Sequence, residues 1–384
     1  MSPAVDALPG PPWLGARRAE AADRLATAPL PSTDEEVWRY SRIDELDLDA
    51  FAPAAVQTSV RHGDLGRATA GPAADLADGE ERSVPLPEDA DALGWLHHAL
   101  VSNPIVVDVP AGVRVVDPIV VRHRGPDAGT AIGPALVIRA GADAEVTVIE
   151  VFEGGGGGLA VPSTTVMVAE AARVGYVGVQ DLDRAAWSIG TLDIEAEAQA
   201  SVTAGLAGFG GDYTRVRTDC RLVGRGASGD LFAAYFGDGD QILDYRTFQD
   251  HIAPDTTSNL LFKGAVSDRS RSVYTGLIRV AKTARGTNAF QTNRNIKLSE
   301  DAWAESVPNL QIENNDVHCS HASAVGPIDE EQRFYLESRG VPTRVAERLI
   351  VAGFFAEVFD RLPVHEVRAH LDAAVAAKLS AVLA

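Results

Sequence analysis

Three short alternating stretches recur 28 residues apart: Ala144-x-Val146-x-Val148, Ala172-x-Val174-x-Tyr176 and Ala200-x-Val202-x-Ala204. Apolar residues at every second position make each a strand with one buried face. A fixed return length brings the same side chains to the same place on successive turns, where each turn buries its inward residues against its neighbours. Ser228 and Thr256 continue the spacing, with Phe232, Leu260 and Phe262 at apolar offsets. The repeat predicts a coiled solenoid in which Val146, Val174 and Val202 stack in register on one inward face. The rival architecture is a β-sandwich, which gives short strands without a strict period.

The strand-rich region spans about residues 104–326. "PIVVDVPAGVRVVDPIVVRHRG", "EVTVIEVF", "TTVMVAE", "RVGYVGVQD", "TLDIEAEAQASVTAGL" and "LQIENNDVHCS" are strand candidates separated by turn residues. No helical pattern of 10–15 residues intervenes, which argues against a βαβ sheet. The "GGGGG" at 154–158 is not followed by Gly-Lys-Ser/Thr, so it reads as a turn and not a phosphate loop.

Residues 1–103 read as helices and loops. Thr33 with Glu36 forms a capping-box pattern ahead of Val37, Trp38 and Tyr40, and "DALGWLHHALVSN" is a short helix. Its adjacent His97 and His98 point in different directions and read as surface or partly packed residues, not ligands. The long stretch from "APAAVQTSV" to "EDADAL" reads as loop. Residues 327–384 are helical. Asp329 is an N-cap candidate with Gln332 three residues on, and Gly340 closes that helix. Thr343 can cap the next helix, and Val367, Leu371, Val375 and Leu379 lie on one face of the last. These helices either pack on their own body or form a docking module.

Charge removes several functions. The chain of 384 residues has a net charge of −20 and a pI of about 4.8, with no basic stripe to displace phosphate counterions, so nucleic acids and anionic membranes are excluded as partners. Its two cysteines, Cys220 and Cys319, cannot build a disulfide framework or a four-cysteine metal site. There is no signal peptide pattern and no run of 18 apolar residues, so a soluble cytoplasmic protein is expected.

The stretch "NNDVHCSHASAVG" (314–326) gathers His318, Cys319 and His321 within four positions. In an extended chain Val317, Cys319 and His321 share one face, and Asp316, His318 and Ser320 the other. Cys319 and His321 are then about 7 Å apart at Cα. Thiolate and imidazole suit iron and soft-ligand clusters. The same residues also read as a small buried hydrophobe and a hydrogen-bonded core histidine. Cys220 and His251 read as structural.

From Pro110 onward the sequence resembles the SufB/SufD family of iron–sulfur cluster assembly proteins. The resemblance is carried by "PAGVRVVDPIVV", by "SNLLFKG", "YTG", "QTNRN" and "PNLQI" in order, and by "EEVWRY" near the N-terminus. "DVHCSH" is similar to the SufD branch. Leu336, in "FYLESRG", stands where SufB-like chains carry a cysteine, and Ala322 where the family usually has glycine.

The resemblance implies a right-handed parallel β-helix between N- and C-terminal helical regions. It implies a non-enzymatic subunit that pairs with a SufB-like scaffold through the β-helix and docks a SufC-like ABC ATPase on its C-terminal helices. A transient iron–sulfur cluster or iron would be shared with the partner, with His321 and Cys319 as candidate ligands at the interface and none bound stably by the isolated chain. Alternatives are a SufB-like scaffold or a homodimer of this chain. A β-helix carbohydrate-active enzyme is remote, because Asp219, Asp230, Asp238, Asp240 and Asp244 follow no rung period.

Overall fold

In the computed structural model, which describes Val5 and residues 7–75, 90–364 and 367–382, the chain winds into a β-solenoid of about 8 turns with helices at both ends. Successive strands alternate between two sheets. The first sheet runs from Thr69–Pro72 and Ile105–Val109 through Tyr213–Leu222, Ile242–His251 and Arg271–Val280 to Trp303–Ile312. The second runs from Thr58–Arg61 and Ile119–Arg124 through Glu145–Gly154, Arg173–Leu182 and Ser201–Gly208 to Thr287–Lys297 and Val317–Pro327. Solenoid neighbours pair in parallel. Thr58–Arg61 and Thr69–Pro72 instead pair antiparallel with the first turn, which closes that end of the stack.

The valine column is present: Val174 pairs with Val146 on one side and Val202 on the other. All three are buried in the apolar lumen between the sheets. The next turn is one residue shorter, so Ala227, not Ser228, continues the Ala144 column, and Ser228 pairs with Ser201. A longer turn then brings Thr256 back into step. Leu260 and Phe262 face the lumen, whereas Phe232 faces outward against the C-terminal helices.

A second column explains how the corners stack. Gly112, Asp143, Ala171, Gln199, Gly226, Asp255 and Gly286 all have positive φ. Each donates its N–H to a carbonyl one turn further on, as in Asp143 to Glu170 and Ala171 to Ala198. The corner thus needs a left-handed residue at every turn, although only three of the seven are glycine.

Several local expectations are corrected. "TLDIEAEAQASVTAGL" and "LQIENNDVHCS" are not single strands; each turns a corner between the two sheets, at Glu197–Ala200 and Glu313–Asp316. Thr33 does not start a capped α-helix. Its hydroxyl bonds Asp44, and only a short 3-10 turn, Glu36–Trp38, follows. His97 is fully packed beneath helix α2 (Ala92–Leu100; α1 is Pro12–Leu25), with Nδ1 2.6 Å from the Val161 carbonyl oxygen. Part of the proposed loop, 76–89, lies outside the described residues.

At the C-terminus, α3 (Glu330–Ser338), α4 (Thr343–Phe359) and α5 (Arg368–Val382) follow the last strand. Asp329 caps α3 by accepting from the Glu331 and Gln332 amides, but Thr343 is simply the first residue of α4 and caps nothing. Leu371, Val375 and Leu379 of α5, with Val351, Phe355 and Val358 of α4, pack on the outer face of the second sheet against Val177, Val179 and Phe236. Of the two readings left open for these helices, the apolar stripe of the last one is therefore spent largely on the protein's own body.

Candidate functional site at the open end of the solenoid

Val317–Pro327 is the final strand of the second sheet, hydrogen-bonded on one side only, to Thr287–Lys297. In that neighbour Thr287, Ala289, Gln291, Asn293 and Asn295 are buried and face the lumen. Parallel register puts Val317 over Thr287, Cys319 over Ala289 and His321 over Gln291, so these three continue the inward face. His318, over the exposed Asn288, lies on the opposite side.

Among the described residues no further turn stacks on this strand. Its inward residues are therefore open to solvent where equivalent ones lower in the stack are not: Val317 and Cys319 are half-buried, and His321 is exposed. Cys319 leans on an apolar cluster with Ile278, Val280 and Ala289. That burial pushes its thiol pKa up, with an Ala289 backbone hydrogen bond pulling weakly the other way. The thiol is thus predominantly protonated near neutrality. Ala322 lies in extended strand and has no positive φ, so alanine in place of glycine there carries no strain.

Across the lumen the last strand of the first sheet, Trp303–Ile312, is also an edge. Ser306 stacks on the buried Tyr274 and Leu310 on Ile278. The sequence reading missed this half of the site, because Pro308 interrupts the run and disguises an edge strand. Phe290, Ile312 and Val325 are exposed large hydrophobic residues around the same end. Beneath it the lumen turns polar. Asn293 donates to the Tyr235 hydroxyl at 3.0 Å, and Asn295 donates to Asn293 at 2.8 Å.

Among the described residues no three His, Cys, Asp or Glu side chains converge as a metal site. Cys319 and His321 are two potential donors on one face, with no third such group beside them among the described residues. His251 bonds Thr256 and Ser258 inside the core, and Cys220 is buried. Four of the five aspartates named above are tied up separately: Asp219 by Arg217, Asp238 by Arg184 and Lys378, Asp240 by Arg269, and Asp244 by Arg215 and Arg246. They form no catalytic pair. Leu336 is only half-buried, on a helix with no buried residue, and is not a core position.

The fold is that of a parallel β-solenoid protein whose terminal edge carries a thiol and an imidazole on its inward face. The family follows from comparison. Residues 123–354 match the SufBD core domain of SUF system FeS cluster assembly. An iron-sulfur cluster assembly SufBD family protein of Mycobacterium tuberculosis is 32% identical over 365 residues, 90% of this chain and 88% of the relative. The iron-sulfur cluster assembly protein SufD of Escherichia coli is 27% identical over 370 residues (88% and 87%), and that of Bacillus subtilis 28% over 299 (76% and 68%). The chain belongs to the SufBD family of iron–sulfur cluster assembly proteins.

Proposed function

We propose that this chain is the SufD-like, non-catalytic subunit of a cytoplasmic assembly complex. In this reading its open solenoid end pairs with a SufB-like scaffold, and the cluster, as cargo, forms at that junction. The observation that carries the reading is the pairing of Cys319 and His321 on the inward face of a terminal strand whose outer edge has no hydrogen-bonding neighbour. Unpaired strand edges favour strand-to-strand association, and the exposed Phe290, Ile312 and Val325 supply apolar area for it. His321 is the stronger ligand, because a neutral imidazole binds iron directly whereas the Cys319 thiol must first lose a proton. Leu336 in place of the SufB-type cysteine supports the SufD-like assignment.

A SufC-like ATPase is the second partner. Its docking surface is not the buried α5 stripe but the apolar residues left outside: Phe334 and Tyr335 on α3 are 71% and 58% exposed, and Leu349 on α4 is 53% exposed. Deleting residues 327–384 is a poor test, since it would uncover the second sheet. Phe334→Ala with Leu349→Ala leaves the body intact and should reduce ATPase capture at least tenfold; undiminished capture would remove this surface from consideration.

The deciding experiment is anaerobic purification of the complex with iron and sulfide assays. His321→Ala should assemble normally but retain little iron or sulfide, Cys319→Ser should show a smaller loss, and His318→Ala, on the other face, almost none. Normal cluster content in His321→Ala overturns the ligand role.

A further inference from the structure

A cavity of about 640 Å³ lies away from both surfaces just described, on the outer face of the first sheet. Its floor includes Thr165, Asp193, Arg246 and Phe248 from three strands of that sheet, and its roof includes Trp38 and His98 from the N-terminal region. The volume falls in the range of small-molecule sites.

Arg246 is the informative residue. It is 3% exposed. Its Nε donates to Asp244 Oδ1 at 3.2 Å, but the buried Nη2 has no hydrogen-bond partner. Arg215 donates to the other Asp244 oxygen and to the Val37 carbonyl, and its guanidinium sits 3.6 Å over the Trp38 ring. Two buried guanidinium groups thus share one carboxylate, so this cluster by itself carries one positive charge in excess, in a cavity that Arg17, Glu35, Asp91 and Asp193 also line. The cavity's other sheet arginines are balanced locally, Arg217 by Asp219 and Arg221 by Glu195. A buried cationic N–H without an acceptor is costly, and the Arg246 side chain that carries it is among the residues lining an open volume in a chain whose net charge is −20.

The remaining walls limit what can enter. Trp38 and Phe248 line it with aromatic rings, each with one face already stacked by a guanidinium, Arg215 and Arg217 respectively. Glu35, Asp91 and Asp193 are acidic, so they disfavour a second anionic group and favour hydrogen-bond donors. Burial, and after it the charge of Asp219, raises the Asp193 pKa to about 6, consistent with a poorly hydrated interior.

We propose that this cavity binds a small organic monoanion, its acidic head on Arg246 and its flat apolar body between the N-terminal layer and the sheet. Two fluorescent probes test it on the full chain: 1-anilinonaphthalene-8-sulfonate, an aromatic monoanion, and N-phenyl-1-naphthylamine, the same ring system without the charge. The chain should bind one equivalent of the anion saturably and the neutral probe at least tenfold more weakly. Arg246→Met should weaken the anion at least tenfold and leave the neutral probe unchanged. Thr165→Trp, which changes no charge but fills the floor, should abolish the saturable site; it decides the matter if Arg246→Met does not fold. Absence of a saturable anion site in the parent chain, or its persistence unchanged in folded Arg246→Met or in Thr165→Trp, overturns the proposal.

Discussion

The two ends of the solenoid are built from the same turn yet behave oppositely. At the N-terminal end, antiparallel strands and helices cover the first turns. The lumen there even accommodates a carboxyl group: Glu150, 1% exposed, accepts from Thr164 at 2.6 Å and Tyr176 at 2.7 Å, and lies 3.0 Å from His123, which in turn meets Thr58 of the capping strand. At the C-terminal end the equivalent inward positions carry Cys319, His321 and Ser323, and no further turn covers them. The same pleat therefore yields a satisfied polar core at one end and available donors at the other. What differs is whether another layer follows.

The largest expected effect breaks the closed end. Glu150→Ala removes the shared acceptor of three buried groups and should cost roughly 3–5 kcal/mol, read from denaturant midpoints. Ser323→Ala at the open end should change stability by less than about 0.5 kcal/mol. Equal losses at the two positions would show that the open end is as tightly packed as the closed one.

Acid comes next. Burial lowers the pKa of His251 to about 4, below its unfolded value near 6.5, so the unfolded state binds the extra proton between those limits. Stability is complete above about pH 6.5 and falls as pH drops toward 4, by on the order of 3 kcal/mol for this residue. His251→Gln should flatten the slope of the unfolding midpoint over that window; an unchanged slope would assign the acid sensitivity elsewhere, with buried His97 the next group to replace.

Smaller effects refine the comparison along the stack. Val174→Ala, in mid-lumen, should cost roughly 1–3 kcal/mol through lost burial and a cavity, while Val325→Ala, 42% exposed, should cost little in the isolated chain and more once a partner covers it. Ala171 occupies the left-handed corner at φ 57°. Ala171→Gly should stabilise the fold by about 1 kcal/mol, and thermal melts that show destabilisation would mean that the Cβ packing of Ala171 outweighs its strain.

Much of this was legible because periodicity is a local property. Val146, Val174 and Val202 disclosed the turn length, and Ser228 misled only where one turn is a residue short. The capped helix at Asp329 followed from side-chain-to-backbone chemistry within four residues. Thr33 failed because its hydroxyl found Asp44 eleven residues away, an option that a local capping rule does not contain. His97 failed because exposure depends on what packs over a helix, here the strand-end carbonyl of Val161.

By itself the sequence determined the repeat, the two faces of "DVHCSH" and the donor types placed on them, since alternation and residue chemistry need no distant partner. Tertiary structure decided that this strand ends the stack, that Trp303–Ile312 forms the other edge beside it, and that the α5 stripe is consumed on the protein's own second sheet. It also brought Arg215 and Arg246 onto a single carboxylate under Trp38. Each of these depends on which segment lies next to which across tens or hundreds of residues, and burial and charge excess are properties of that neighbourhood, not of the residues in it.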